Sequence, residues 1–120
     1  MKMGMNINDA GEPFTGMILA GEKTVETRAS RSLDSVIGKR VGIVRTGRGP
    51  ATLVGFATVG EPVWYGSPAA FRAASGQHRV AAGSRFDCGA GGKWGYPLID
   101  VERAEPRLVT RRGIVLRRID

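Results

Sequence analysis

Residues 21–28, GEKTVETR, bring a lysine, a glutamate and an arginine within six positions of one another. If the segment after Lys23 is extended, Thr24, Glu26 and Arg28 project from one face and Val25 and Thr27 from the other, because side chains alternate along a strand. Lys23 then stands at the mouth of that strand. Such a row is either a solvated ion-pair face, worth ~0–1 kcal/mol, or the polar lining of a pocket. A second group of chemically capable residues, Lys93, Trp94 and Tyr96, follows the glycine-dense stretch DCGAGG. Its aromatics can stack on bases, at ~1–3 kcal/mol per contact, or plug the end of a barrel.

Other devices fail on inspection. GAGGKW lacks the leading glycine of a phosphate-binding P-loop, and Trp94 stands where that loop needs a Ser or Thr for magnesium. His78 is the only histidine, which excludes a two-histidine metal site, and the acids show no metal-ligand spacing. No Gly-x-Ser-x-Gly elbow supports a Ser-His-Asp triad. Cys88 is alone, so neither an intramolecular disulfide nor a cysteine-rich zinc site can form, as suits a reducing cytoplasm. No cofactor is expected.

The elements that must position these residues are short. EPFTGMILAGEK reads as a helix, with Pro13 at its first position, Phe14, Met17 and Ile18 at helical spacing, and Gly21 past its last turn. Strands are predicted at 24–28, in RVGIVRTG, in ATLVGFATVGEP (where Gly55 and Gly60 suit a bulge or bend), in PLIDVERAEP and in GIVLRRI. Ser67 and Pro68 open a short helix through Phe71 and Ala74 that Gly76 stops. Residues 1–11 read as a loose lead-in, and residues 87–96, DCGAGGKWGY, as a loop.

The 120 residues suffice for one core and are too few for two ordinary domains. At 42% hydrophobic and 24% charged, the composition is that of a globular chain, with no apolar run long enough for a membrane span and no leader at the start. Eighteen glycines, about twice the ~7% average, punctuate short apolar runs as turns do. The fold class predicted is α+β: a small, mainly antiparallel β-barrel with one or two short flanking helices. Lys and Arg exceed Asp and Glu by 18 to 11, a net charge of +7 that attracts polyanions. From residue 103 to residue 118, six arginines face only Glu105.

ILAGEKTVETR resembles the signature of the ASCH domain (activating signal cointegrator homology) of the PUA-like superfamily, in which a short helix leads into a Lys-Thr-x-Glu-x-Arg strand. The likeness continues in order through GKRVGIV, ATLVGFATVGEP, KWGYPLIDVERAEP and GIVLRRI, covering roughly residues 12–119. The resemblance implies a PUA-like barrel, a cleft between barrel and helices lined by Lys23, Glu26 and Arg28, and the Lys93–Tyr96 segment at its edge; Thr24, on the same strand face, is a further ligand-binding candidate. It also implies RNA or a nucleotide as partner, with DNA as an alternative.

In that setting Glu26 can accept from an exocyclic amine, Arg28 can orient Glu26 or meet a phosphate, and Trp94 can cover the base. Some relatives are amidohydrolases that deacetylate N4-acetylcytidine with a Lys and a Thr nucleophile; here Glu26 occupies the nucleophile's place. With that change the hydrolytic chemistry left is Glu26 as general base and Lys23 stabilising an oxyanion. Other relatives are ribonucleases, but no residue here identifies an acid and base for phosphodiester cleavage. The expectation is therefore a cytoplasmic RNA- or nucleotide-binding module, with a hydrolase or a protein-interaction barrel as alternatives and the oligomeric state open.

Overall fold

A computed structural model describes residues 2–120. Among these residues, seven strands form one curled sheet: β1 (Met3–Asn8), β2 (Val25–Arg28), β3 (Arg40–Thr46), β4 (Thr52–Val59), β5 (Val63–Tyr65), β6 (Lys93–Leu108) and β7 (Leu116–Arg118). Three short helices accompany them: α1 (Phe14–Leu19), α2 (Pro68–Ala73) and α3 (Ser75–His78). A 3-10 turn spans Asp34–Val36. The strand order is β2-β6-β4-β3-β1-β7, with β5 also on β6. All these pairs are antiparallel except β1 with β3. The result is an α+β half-barrel, as the sequence predicts, with a third short helix.

The main core lies inside the curl. Met5 and Ile7 of β1, Phe14 and Ile18 of α1, Leu33, Val41, Ile43, Val59 and Tyr96 are all buried there. Burying each large aliphatic side chain contributes ~1.5–3 kcal/mol. A second cluster, Val44, Leu53, Val109 and Ile119, fastens the far end of β6 and the C-terminus to β3 and β4. Gly55 marks a shift in the β4–β6 register, and a β-carbon there would strike the Glu102 carbonyl and the Leu19 side chain. The bend expected at Gly55 is therefore required by close backbone approach.

Three local expectations are overturned. Residues 3–8 are not a lead-in: β1 is an interior strand between β3 and β7, with Met5 and Ile7 fully covered. Gly4, Asn6 and Asn8 lower its strand propensity, but packing of the alternate apolar residues outweighs that. The 93–96 segment is not loop; it begins a 16-residue strand. Nor does Gly76 stop the second helix region, because α3 follows at once and ends at Arg79, whose φ is 60°. Ser67 caps α2 as expected, its Oγ accepting from the Ala70 amide at 3.1 Å.

Candidate functional site

β2 and β7 stand at opposite ends of the strand order, so the curled sheet has a seam where β2's free edge faces β1 and β7. A pocket of about 590 Å³ lies along that seam. Its walls are residues 6–8 of β1, residues 26–28 of β2, Phe14, Lys23, the Val80, Arg85 and Phe86 side of the long loop before β6, Lys93, and Gly113, Ile114 and Arg117. The strand's edge, rather than one face, lines the pocket, so Thr27 contributes alongside Glu26 and Arg28.

Lys23 reaches inward because α1 ends abruptly. Gly21, at φ 79°, reverses the chain, and the amides of Glu22 and Lys23 both donate to the Met17 carbonyl, at 2.9 and 3.1 Å. The Lys23 ammonium is 1% exposed; it donates to the His78 carbonyl at 2.6 Å and lies 3.5 Å from Glu26 Oε1. The Phe14 ring backs it at 4.7 Å. Glu26 Oε2 accepts from Arg28 Nε at 3.1 Å and lies 3.0 Å from Nη2, which also donates to the Asn6 carbonyl at 2.7 Å. Arg28 thus ties the carboxylate to β1 across the seam. Its first role is orientation.

Lys93 is buried, donates to the Phe86 carbonyl at 2.5 Å, and sits 5.5 Å over the Phe71 ring. Burial holds both lysines below the ordinary lysine pKa, with Glu26 acting in the opposite sense on each. The pocket walls carry five cationic side chains, Lys23, Arg28, Arg85, Lys93 and Arg117, around a single carboxylate, Glu26. Asn6 organises the third wall: its Nδ2 donates to the carbonyls of Gly113 and Ile114, at 2.8 and 2.9 Å, and its Oδ1 accepts from Arg117. Among the described residues, no group of three or more His, Cys, Asp or Glu converges as a metal site.

The sequence-predicted residues divide cleanly. Lys23, Glu26, Arg28 and Lys93 come together in the pocket. Thr24 is exposed and not in its wall, its backbone taken up by Gln77 and Leu98. Tyr96 is fully buried in the core, its hydroxyl donating to Asp34 Oδ1 at 2.7 Å and accepting from the Leu33 amide. Trp94 packs against Trp64, with ring centroids 4.8 Å apart, and lies outside the pocket wall. The alternative reading of these aromatics, as barrel-end packing, is the one Tyr96 fulfils. His78 is likewise structural, its Nε2 bonded to the Phe71 carbonyl and its Nδ1 accepting from Val80.

Asn6, Phe14, Arg85, Phe86, Ile114 and Arg117 complete the pocket unannounced by any motif. The only sequence signal was the surplus of arginine toward the C-terminus, which Arg117 shares.

The curled sheet with its short helices has the fold of solved ASCH domain proteins. A crystal structure of ASCH from Zymomonas mobilis matches with a TM-score of 0.70 at 20% identity, covering 88% of this chain and 71% of that one. A serine-to-alanine mutant of ASCH from Zymomonas mobilis gives 0.76 at 17% identity, over 96% and 85%. A tyrosine-to-phenylalanine mutant gives 0.72 at 19%, over 89% and 75%. No protein-family model and no curated protein matches the chain.

Proposed function

We propose that the seam pocket binds RNA or a nucleotide, modified nucleosides included. The observation that carries this reading is the ratio of charges: five cations line a pocket of about 590 Å³ around one fixed carboxylate. Pockets of ~300–1,000 Å³ are the usual size for small-molecule and cofactor sites. The carboxylate, held by Lys23 and Arg28, presents acceptors for the exocyclic amine of a base. Lys93 and Arg85, each against an aromatic face, are the cations this reading assigns to phosphate. Phe14 and Phe86, edge to face at 6.0 Å, provide the apolar wall that a base needs. DNA shares the phosphate and base chemistry and serves as the competitor in binding.

A second reading, hydrolysis at the same place, is favoured by one observation: the buried Lys23 lies 3.5 Å from Glu26, with its affinity for a proton lowered by desolvation. Glu26 would activate water and Lys23 would stabilise the oxyanion. An N4-acetylated cytidine is the substrate class to try first, and a ribonuclease activity the second.

One experiment separates the two readings. The protein is incubated with cellular RNA and modified nucleosides, and both retained ligand and new products are followed by mass spectrometry beside Glu26→Gln. Retention without product supports the binding module. Products that vanish in Glu26→Gln support the enzyme. Neither retention nor product, with folded protein, leaves a protein-interaction barrel as the better account.

A further inference from the structure

Next to the seam pocket, on the same sheet, lies an aromatic surface that the pocket does not use. Arg28 of β2 pairs with Trp94 of β6, and Trp94 pairs with Trp64 of β5. Residues directly opposite one another on adjacent strands share a face, so Arg28, Trp94 and Trp64 form one row across three strands. That row leads from the pocket wall to the surface. It covers two strand spacings, about 10 Å.

Trp64 is 47% exposed, unusual for so large an apolar side chain, and it is held in place. A β-carbon at Gly92 would collide with its indole, and one at Gly66 would sit 3.1 Å from its Nε1. The ring therefore rests on glycine backbone on one side and on Trp94 on another. Arg31 stacks over Trp94 at 4.9 Å, anchored by Asp34 at 2.7 Å. A fixed, half-open indole beside a cationic pocket is what a stacking platform for an unpaired base requires.

We propose that Trp64 stacks the base neighbouring the nucleotide held in the seam pocket, so that the preferred ligand is single-stranded RNA longer than one nucleotide. This rests on the nucleic-acid reading of the pocket. The occupant is argued from charge: the row begins at a pocket rich in cations on a chain of net charge +7, which suits a polyanion better than an apolar protein segment. A duplex hides the base faces that this row would use.

The test measures binding of a cytidine octamer and of cytidine monophosphate to the wild type, Trp64→Ala and Trp64→Tyr, with unfolding midpoints as a check on folding. Trp64→Ala should weaken octamer binding about 5- to 150-fold, the range for loss of one base–aromatic stack. It should leave the monophosphate affinity and the slope of octamer affinity against salt unchanged. Trp64→Tyr should recover most of the loss.

Equal octamer binding by all three proteins overturns the platform and leaves the pocket reading standing. Failure of the wild type to bind either probe overturns both. If the RNA-free wild type sediments as a dimer that Trp64→Ala converts to monomer, the surface is a contact between copies and the proposal falls.

Discussion

Glu26 gives one oxygen to a buried ammonium and the other to a guanidinium tied to β1, so its removal has two consequences that must be kept apart. Glu26→Gln leaves Lys23 charged and enclosed without its counter-ion. Breaking a fully buried pair costs ~3–5 kcal/mol. Because the Glu26 side chain retains some access to solvent, we expect about 2–3 kcal/mol, read as a lowered urea midpoint. Adding Lys23→Met should restore most of that stability while leaving ligand affinity low, which separates the fold's use of the pair from the site's. Lys23 also makes stability depend on pH. Its pKa is lowered in the folded state, so between that value and 10.5 the unfolded chain holds more protons, and stability rises with pH across this window. Tyr65 and Tyr96, raised by burial above 10.0, act in the opposite direction beyond that point. Urea midpoints should climb as pH approaches 10.5 in the wild type and climb less steeply in Lys23→Met, where the buried Lys93 still acts in the same sense.

Elements differ in how openly the sequence declares them. β2 was legible because its charges alternate with Val25 and Thr27 after an evident helix stop, and α2 because Ser67 and Pro68 are a strong start signal. β1 was hidden by Gly4, Asn6 and Asn8, whose poor strand propensity is overridden only once Met5 and Ile7 are packed between β3 and β7. The start of β6 was hidden by its run of glycines, of which Gly92 makes room for the Trp64 ring and Gly95 for Tyr65 and Val25. Asn6 could not be read at all, since its partners Gly113 and Ile114 lie more than a hundred residues away.

The segment carrying Arg85 and Phe86 has its own fastening. Asp87 accepts from the amides of Gly83 and Cys88 and from Arg72, and these interactions, led by the Arg72 bond, hold its pKa down at about 2. That support is complete above pH 3.8 and is lost as pH falls through about 2. Asp87→Asn should therefore speed hydrogen exchange at Gly83 and Cys88 while leaving β3 and β4 protected.

At the scale of the whole molecule, the charge imbalance predicts a salt-sensitive affinity for single strands, with log K falling linearly against log salt. Each pocket cation that meets a phosphate should contribute about 0.7 to that slope, so Lys93→Met should make it shallower by about that amount. The curl does not close, so β2 keeps an edge with no strand paired to it, and such edges seed aggregation unless they are covered or something repels the newcomer. Arg28, Arg85 and Arg117 line the pocket beside that edge, where a second copy would bring its own like charges. On the nucleic-acid reading, cations proposed to meet a phosphate would thus also repel a second copy of the protein. Neutralising two of them together should show itself first as slow growth in light scattering at high protein concentration, before any change in fold.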